Sequence, residues 1–346
     1  MKNSIKTIVI FTAVVFATAT SLYAQDWQTL FDSGRREFEA GRFAQAVDYF
    51  KKANSLRPEV PEGQYNLGVS YYRLERYSEA ITAFREAIRL RPDYQEAYVQ
   101  LGNALDMNGD YQGALNAYNR ATQLNPNDFQ VYYEIGVAHR GQKKYIQAEA
   151  AFRKSVELNP SYSSAVYNLA YTLDDLRRYD EAYTYYARAV KLDNGLYYAH
   201  LRIGDYLVRQ KRFSEAIDAY NASLKARPNY ADANFGIGNA YYNNRQFSEA
   251  LTYYELAARQ DPKWTRAMVY TGDAYRMLKN YSKAKEWYQK ALDLEPEDAE
   301  ANYWMGLLKV NDGDIAAAKK HLEILQKVDQ ELAAKLQEVL DEKTKP

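Results

Sequence analysis

Proline recurs along most of the chain at an interval of 34 residues, and no other feature of the sequence limits the possible folds as much. The series comprises Pro58, Pro92, Pro126, Pro160, Pro228, Pro262 and Pro296, with Asn194 in its one vacant place. A small residue keeps the same interval, at Gly34, Gly68, Gly102, Gly136, Ala170, Gly204, Gly238, Gly272 and Gly306. A period of this length without insertion or deletion indicates an array in which each unit is one supersecondary motif.

Each unit has the pattern of two short helices. In residues 61–94, Leu67 and Tyr71 flank Gly68 with the spacing of a first apolar helical stripe, and Ala80 and Phe84 begin a second stripe. Pro92 then ends the second helix, because proline lacks the amide hydrogen that a helix interior needs. One such pair is too small to bury a core alone, so neighbouring pairs must stack.

This unit resembles the tetratricopeptide repeat (TPR), whose pattern Leu67, Gly68, Tyr71, Ala80, Phe84, Ala87 and Pro92 carry in full. The resemblance implies an all-α fold, a right-handed superhelical solenoid of stacked helix-turn-helix repeats. Nine repeats occupy residues 27–332, namely 27–60, 61–94, 95–128, 129–162, 163–196, 197–230, 231–264, 265–298 and 299–332. The ninth is degenerate, since it lacks the aromatic residue and the proline.

The C-terminal residues predict one more helix. Leu332, Leu336, Val339 and Leu340 fall on one face of a helix whose opposite face is charged. Such a helix can cover the core surface that the last repeat leaves exposed. We therefore expect a C-terminal capping helix, with its end and a tail in residues 333–346.

The N-terminal 24 residues have a different composition. Lys2 and Lys6 precede an uncharged run from Thr7 to Ala24, and this arrangement is typical of a signal peptide. Residues 1–24 are therefore predicted to be removed after Ala24, with export to the periplasm as the expected localisation. Retention of the segment as a membrane anchor is the alternative. The chain contains no cysteine, so disulfides and acylation at a cysteine are excluded.

One junction departs from the repeat pattern. Residues 191–198 read KLDNGLYY, in which Asn194 replaces the proline and Gly195 follows it. Because glycine adds backbone freedom, we expect a flexible joint here, between the fifth and sixth repeats, that divides the solenoid into two halves.

Composition and motifs argue against catalysis. The formal net charge is +0, which does not favour nucleic acid as a partner. Basic pairs such as Lys143-Lys144 and Arg177-Arg178 recur where first helices end, and there they complement the helix dipole. The three histidines fit no zinc pattern, and the glycines follow the repeat instead of forming a phosphate loop. We therefore expect a non-enzymatic protein without metal or cofactor.

The resemblance to TPR proteins implies that partner segments bind a concave groove lined by the first helices. The corresponding positions lie three and two residues before the recurring small residue, and one and four after it. They give a groove rich in tyrosine and asparagine, formed by Phe31, Tyr65, Asn66, Tyr72, Asn103, Tyr133, Tyr167, Asn168, Tyr171, Asp205, Phe235, Asn239, Tyr242 and Asp273. Ordinary packing of rings and amides in this family is the competing interpretation.

These features favour an exported scaffold for protein–protein interaction, with a role in assembly or maintenance of the cell envelope. Its expected partner is a peptide or helix segment of another protein, and a membrane contact is expected only if residues 1–24 are retained. Two other functions remain open. The protein could be a solenoid that binds glycan or cell wall, with Tyr171, Asp174 and Asp205 as its nearest ring-and-carboxylate group. It could also be an accessory subunit of a membrane-bound enzyme or secretion complex.

Overall fold

A computed structural model describes residues 26–345, so the predicted signal peptide lies outside the described residues. Their regular structure is α-helical throughout, without a strand. The nineteen helices are α1 (26–39), α2 (Phe43–Leu56), α3 (Pro61–Arg73), α4 (Tyr77–Leu90), α5 (Gln95–Met107), α6 (Tyr111–Leu124), α7 (Phe129–Gly141), α8 (Tyr145–Leu158), α9 (Ser163–Asp175), α10 (Tyr179–Leu192), α11 (Tyr197–Arg209), α12 (Phe213–Ala226), α13 (Ala231–Asn243), α14 (Phe247–Gln260), α15 (Thr265–Met277), α16 (Tyr281–Leu294), α17 (Ala299–Asn311), α18 (Ile315–Val328) and α19 (Gln330–Thr344).

Consecutive helices pack as repeated pairs, which confirms the prediction of an all-α repeat fold. The first helix of a pair packs against the second, as α3 does on α4, and the second packs on the next first helix, as α4 does on α5. The recurring glycine is required because the aromatic residue of the second helix lies against it. A Cβ added to Gly68 would stand 2.7 Å from the ring of Phe84, closer than carbon atoms approach.

The turn between the two helices of each pair contains one residue with positive φ. Gly41, Gly109 and Gly313 fill this position in three repeats, whereas residues such as Lys143 and Lys211 fill it elsewhere. The next residue is the N-cap of the second helix, and there Arg212 pairs with Glu215 at 2.6 Å. Arg178 forms the same ion pair with Glu181, also at 2.6 Å, so an acidic side chain three residues later balances these N-cap arginines.

The C-terminal helix covers the last repeat, as predicted. In α19, which packs on both α17 and α18, Leu336 and Leu340 are buried. A Cβ added to Gly306 would meet Leu336 at 2.6 Å, so this leucine fills the space that an aromatic ring occupies in the other repeats. The degenerate ninth repeat thus obtains its missing side chain from α19.

The chain divides into two compact units, and the division lies between Leu176 and Arg177. The first unit contains α1–α9 and the second α10–α19. The expected division at residues 191–198 is therefore wrong, because this junction lies inside the second unit. There the amide of Gly195 donates to Asp193 Oδ1 at 2.9 Å. Within residues 26–345 no helix is both long and apolar enough to cross a bilayer.

Candidate partner-binding face

The first helices of the repeats carry all the predicted site residues. They are α1, α3, α5, α7 and α9 in the first unit and α11, α13, α15 and α17 in the second. Neighbouring first helices touch, as α5 does with both α3 and α7 and as α11 does with α13. We call the surface that they form within each unit the first-helix face.

The rings three residues before the glycine form part of the repeat core. Tyr65 lies 6.0 Å from Phe84 and 5.1 Å from Tyr94 between ring centroids. Tyr133 packs in the same way, 5.8 Å from Phe152 and 5.3 Å from Tyr162, and Phe31 and Phe235 are buried to 9% and 6% exposure. These two phenylalanines therefore support the fold and offer little surface to a partner. Tyr65, Tyr133 and Tyr167 are half-buried and keep part of the ring accessible.

The polar residues after the glycine accept hydrogen bonds from buried tyrosines of the second helix. The hydroxyl of Tyr118 donates to Asn103 Oδ1 at 2.7 Å, and that of Tyr254 donates to Asn239 Oδ1 at 2.8 Å. The remaining pairs of this kind are Tyr220 with Asp205 at 2.9 Å and Tyr288 with Asp273 at 2.7 Å. A buried hydroxyl without a partner is costly, so Asn103, Asp205, Asn239 and Asp273 have a structural role that the sequence analysis missed.

The two asparagines before the glycine use their amides locally. Asn66 Nδ2 donates to the carbonyl of Glu62 at 2.8 Å, one helical turn earlier. Asn168 Nδ2 donates in the same way to the carbonyl of Ser164 at 2.9 Å, and its Oδ1 accepts from Arg140 at 3.2 Å. Both side chains are half-buried on the first-helix face.

Three further tyrosines lie half-buried on this face. The ring of Tyr72 packs on that of Tyr77 at 5.6 Å, and the ring of Tyr242 packs on that of Phe247 at 5.3 Å. Tyr171 lies beneath the guanidinium of Arg140, whose Cζ stands 3.6 Å from the ring centroid. Such rings combine a large apolar area with a polar tip, which suits recognition of a protein segment.

Each unit has a pocket beside these rings. In the first unit a pocket of about 400 Å³ is lined by Arg140, Asn168, Tyr171 and Asp175. In the second unit a pocket of about 750 Å³ lies between the first helices and α19, where its walls include Tyr242, Tyr270, Asp273, Glu300, Trp304 and Lys335. Sequence reasoning did not select Arg140, Glu300 or Trp304, because their positions become adjacent only when first helices of successive repeats pack together.

Carboxylates on the first-helix face are of two kinds. Asp273 is paired with Arg276 at 3.3 Å, and Asp175 with Arg140 at 3.5 Å. Asp106 and Glu134 have no such partner among the described residues, and Asp106 Oδ1 is buried without a hydrogen bond. Burial raises the pKa of Asp106, and burial together with the charge of Asp106 raises the pKa of Glu134 to about 7.

Residues able to form a metal site are absent from the part of the chain that the structure describes, since no three histidine or acidic side chains group together there. His321 instead contacts Asn302 Oδ1 at 2.9 Å, and His200 contacts the carbonyl of Asn194 at 3.2 Å. The arrangement of stacked helix pairs with half-exposed rings defines a helical-repeat scaffold suited to protein–protein interaction.

Comparison with known proteins places the chain in a family. Models described as tetratricopeptide repeat match residues 31–95, 83–116, 129–162, 167–231, 201–263 and 235–299, and a model described as TPR repeat matches residues 107–143. The chain belongs to the tetratricopeptide repeat family, as its sequence pattern indicated. No curated protein matches the chain.

Solved structures with a similar fold are also TPR proteins or their relatives. The C-terminal part of a TPR repeat-containing protein from Cytophaga hutchinsonii has a TM-score of 0.59 and 18% identity, and covers 69% of this chain and 98% of its own. PilF from Pseudomonas aeruginosa gives 0.51 and 19%, covering 61% and 96%. YrrB, a TPR protein with an unusual peptide-binding site, gives 0.50 and 24%, covering 54% and 97%. At these identities the similarity concerns the fold.

Proposed function

We propose that this protein is an exported, non-enzymatic scaffold that binds segments of partner proteins along its first-helix face. The observation that carries the proposal is the half-buried row of Tyr65, Tyr72 and Tyr133 in the first unit, with Tyr242 and Tyr270 in the second. Their rings are fixed by packing, so little rotamer entropy is lost when a partner covers them. TPR proteins are typically scaffolds without catalytic activity, and this chain is proposed to act likewise.

The proposed place of action is the periplasm, with a role in assembly or maintenance of the cell envelope. This part of the proposal rests on the sequence of residues 1–24, which has the basic start and uncharged run of a signal peptide. The mass of the mature protein tests it directly. Cleavage after Ala24 is the expected result, and a chain that retains Met1 would overturn the proposed processing.

A photo-crosslinking experiment tests the binding face. A photoreactive phenylalanine analogue replaces Tyr72 or Tyr242 on the first-helix face. Matched controls carry it at Tyr111 or Tyr281, which begin second helices and are 43% and 41% exposed. After irradiation in cells, the analogue at Tyr72 or Tyr242 is expected to yield discrete protein adducts that the controls lack. Equal labelling from all four positions, or none from any, would overturn the proposal.

A further inference from the structure

The larger pocket of the second unit lies where α19 meets the first helices, and we call it the α19 pocket. Its volume of about 750 Å³ is within the range of about 300–1,000 Å³ that is typical of ligand-binding sites. Residues of the last three repeats and of α19 line it, and its rings are those of Tyr242, Tyr270, Tyr303 and Trp304. All four side chains are half-buried, so the pocket offers aromatic surface that is partly open to a partner.

Packing holds these rings in place. The ring centroid of Tyr270 lies 5.1 Å from that of Phe235 and 5.6 Å from that of Tyr254. The ring centroids of Tyr303 and Trp304 are 4.9 Å apart. A partner side chain that enters the pocket therefore meets a preformed wall, and little rotamer freedom is lost on binding.

The same pocket is lined by four carboxylates and one cation. They are Asp273, Glu300, Asp329, Glu331 and Lys335. Asp273 is paired with Arg276 at 3.3 Å. Glu331 is paired with Lys335 at 2.6 Å. Two carboxylates are therefore neutralised within the unit, and negative charge remains in excess at the pocket.

The excess charge belongs to Glu300 and Asp329. Neither side chain has an ion pair with another residue of 26–345, and Glu300 has no hydrogen bond there either. Asp329 Oδ1 accepts hydrogen bonds from the amides of Glu331 and Leu332 at the start of α19, both at 3.0 Å. A cation brought into the pocket would stabilise both carboxylates.

The arginines of the chain itself show which group such a wall accommodates. The guanidinium of Arg276 contacts both the carboxylate of Asp273 and the ring of Trp304, with its Cζ 3.7 Å from the ring centroid. In the first unit Arg140 lies over Tyr171 in the same manner, at 3.6 Å. The face of an aromatic ring attracts guanidinium and ammonium groups. Rings of the first-helix face therefore already hold basic side chains in both units.

We propose that the α19 pocket binds a lysine or arginine side chain of the partner segment. This inference rests on the proposed function and specifies the partner as a basic protein segment. The aliphatic stem and charged head of such a side chain would be covered by the four rings, with Glu300 and Asp329 as counter-charges. In this proposal α19 has two roles, since it covers the core of the last repeat and also forms one wall of the binding pocket.

A basic side chain fits this pocket better than other occupants. An acidic segment would meet four carboxylates and the single cation Lys335. A neutral sugar could stack on the rings but would leave Glu300 and Asp329 without a counter-charge. Within residues 26–345 no three acidic or histidine side chains are grouped so that they could hold a metal ion. Charge complementarity therefore decides the choice of occupant.

Selection from a displayed library of random 12-residue segments tests the proposal on the mature full-length protein. The wild type is expected to enrich segments that carry lysine or arginine at a fixed position. The isosteric double variant Glu300→Gln/Asp329→Asn is expected to lose this enrichment, while its asparagine still caps α19. The matched control Asp218→Asn/Glu323→Gln removes two exposed carboxylates from second helices of the same unit and is expected to keep it. Equal urea midpoints show that the variants are folded.

The best segment is then resynthesised and titrated by calorimetry, beside an analogue in which norleucine replaces the enriched lysine or citrulline the enriched arginine. The double variant is expected to bind the basic segment about tenfold or more weakly than the wild type does, the size of one charge-assisted hydrogen bond. The neutral analogue should bind both proteins equally, because it has no charge for the two carboxylates to attract.

The outcomes separate this inference from the proposed function. If segments bind but show no preference for basic residues, the inference is overturned and the proposed function stands. If the double variant loses the same affinity for the basic segment and for its neutral analogue, or loses none, the inference is also overturned. Failure of every segment to bind the wild type would contradict the proposed function itself.

Discussion

The two compact units differ in the aromatic side chain that fills the space beside the recurring glycine. In the first unit the ring of the second helix is phenylalanine in most repeats, and the residue after the facing glycine is apolar or basic, as in the pair Phe84 and Val69. In the second unit the ring is tyrosine in the fifth to eighth repeats, and the facing residue of the sixth to eighth repeats is an asparagine or aspartate that accepts a hydrogen bond from the hydroxyl. Polar residues on the first-helix face are therefore not all available to a partner.

The third repeat shows that a tyrosine in the second helix occurs with a polar residue after the facing glycine, whichever unit the repeat is in. It lies in the first unit, yet it combines Tyr118 with Asn103, whose hydrogen bond is 2.7 Å long. Repeats with phenylalanine at Phe84 or Phe152 carry Val69 or Val137 at the facing position. In the third, sixth, seventh and eighth repeats the buried tyrosine hydroxyl thus has an asparagine or aspartate acceptor facing it, which avoids the cost of an unpaired polar group.

Removing the ring gives the largest expected effect and tests what the units share. Phe84→Ala and Tyr254→Ala each empty a fully buried site and are expected to cost about 3–5 kcal/mol of unfolding free energy. Urea unfolding followed by circular dichroism measures the loss, and hydrogen exchange locates it in the unit that carries the change. Ile146→Ala, at a side chain that is 73% exposed, is the matched control. Comparable stability of all three variants would refute the shared core.

Replacing a core phenylalanine of the first unit by tyrosine gives the next largest expected loss of stability. Phe84→Tyr places a hydroxyl opposite Val69, where it finds no acceptor, and is expected to cost about 1–3 kcal/mol. Adding Val69→Asn recreates the pair of the third repeat and should restore most of this loss. The same urea titration measures both variants. Failure of the second substitution to restore stability would show that other contacts decide the choice between phenylalanine and tyrosine.

The carboxylates of the first-helix face also differ between the units, and replacing them is expected to change stability by a smaller amount. Burial raises the pKa of Glu134 to about 7, so ionisation of this side chain destabilises the folded state. The destabilisation is absent below the ordinary pKa near 4.5 and is complete above pH 7. Glu134→Gln should therefore leave stability unchanged at pH 4 and raise it by about 1–2 kcal/mol at pH 8, after allowance for solvent screening of a half-exposed side chain. Asp273→Asn weakens its contacts to Arg276 and Tyr288 and should destabilise the second unit. Urea midpoints at the two pH values distinguish these outcomes.

Much of the fold could be predicted from sequence because the repeat imposes it. The recurring small residue and proline indicated the repeated helix pair, and the apolar face of Leu336 and Leu340 indicated the capping helix. The roles of the polar residues were harder to predict, although one signal was present. Tyrosine in the second helix occurs with asparagine or aspartate fifteen residues earlier in four repeats, as for Tyr254 and Asn239. This correlation distinguishes a structural acceptor from a binding residue.

The remaining features depend on contacts between repeats. Asp106 and Glu134 belong to successive repeats, and only the packing of α5 on α7 brings their first helices together. Arg140 and Arg276 have long side chains whose direction is set by their neighbours, so their pairing with Asp175 and Asp273 follows from the three-dimensional arrangement. The two-unit division lies inside the fifth repeat, in which Ala170 replaces the glycine and Asn194 replaces the proline, but it lies between Leu176 and Arg177 and not at Asn194.

A double-mutant cycle at Asn239 and Tyr254 tests most directly whether these facing positions form a structural pair. Asn239→Val and Tyr254→Phe are each expected to destabilise the second unit, because each leaves one partner of the 2.8 Å hydrogen bond unsatisfied. The double variant reproduces the apolar pair of the second repeat and should be more stable than the sum of the single losses predicts, by about 1 kcal/mol or more. Strictly additive losses would contradict this account, since the two side chains would then act independently.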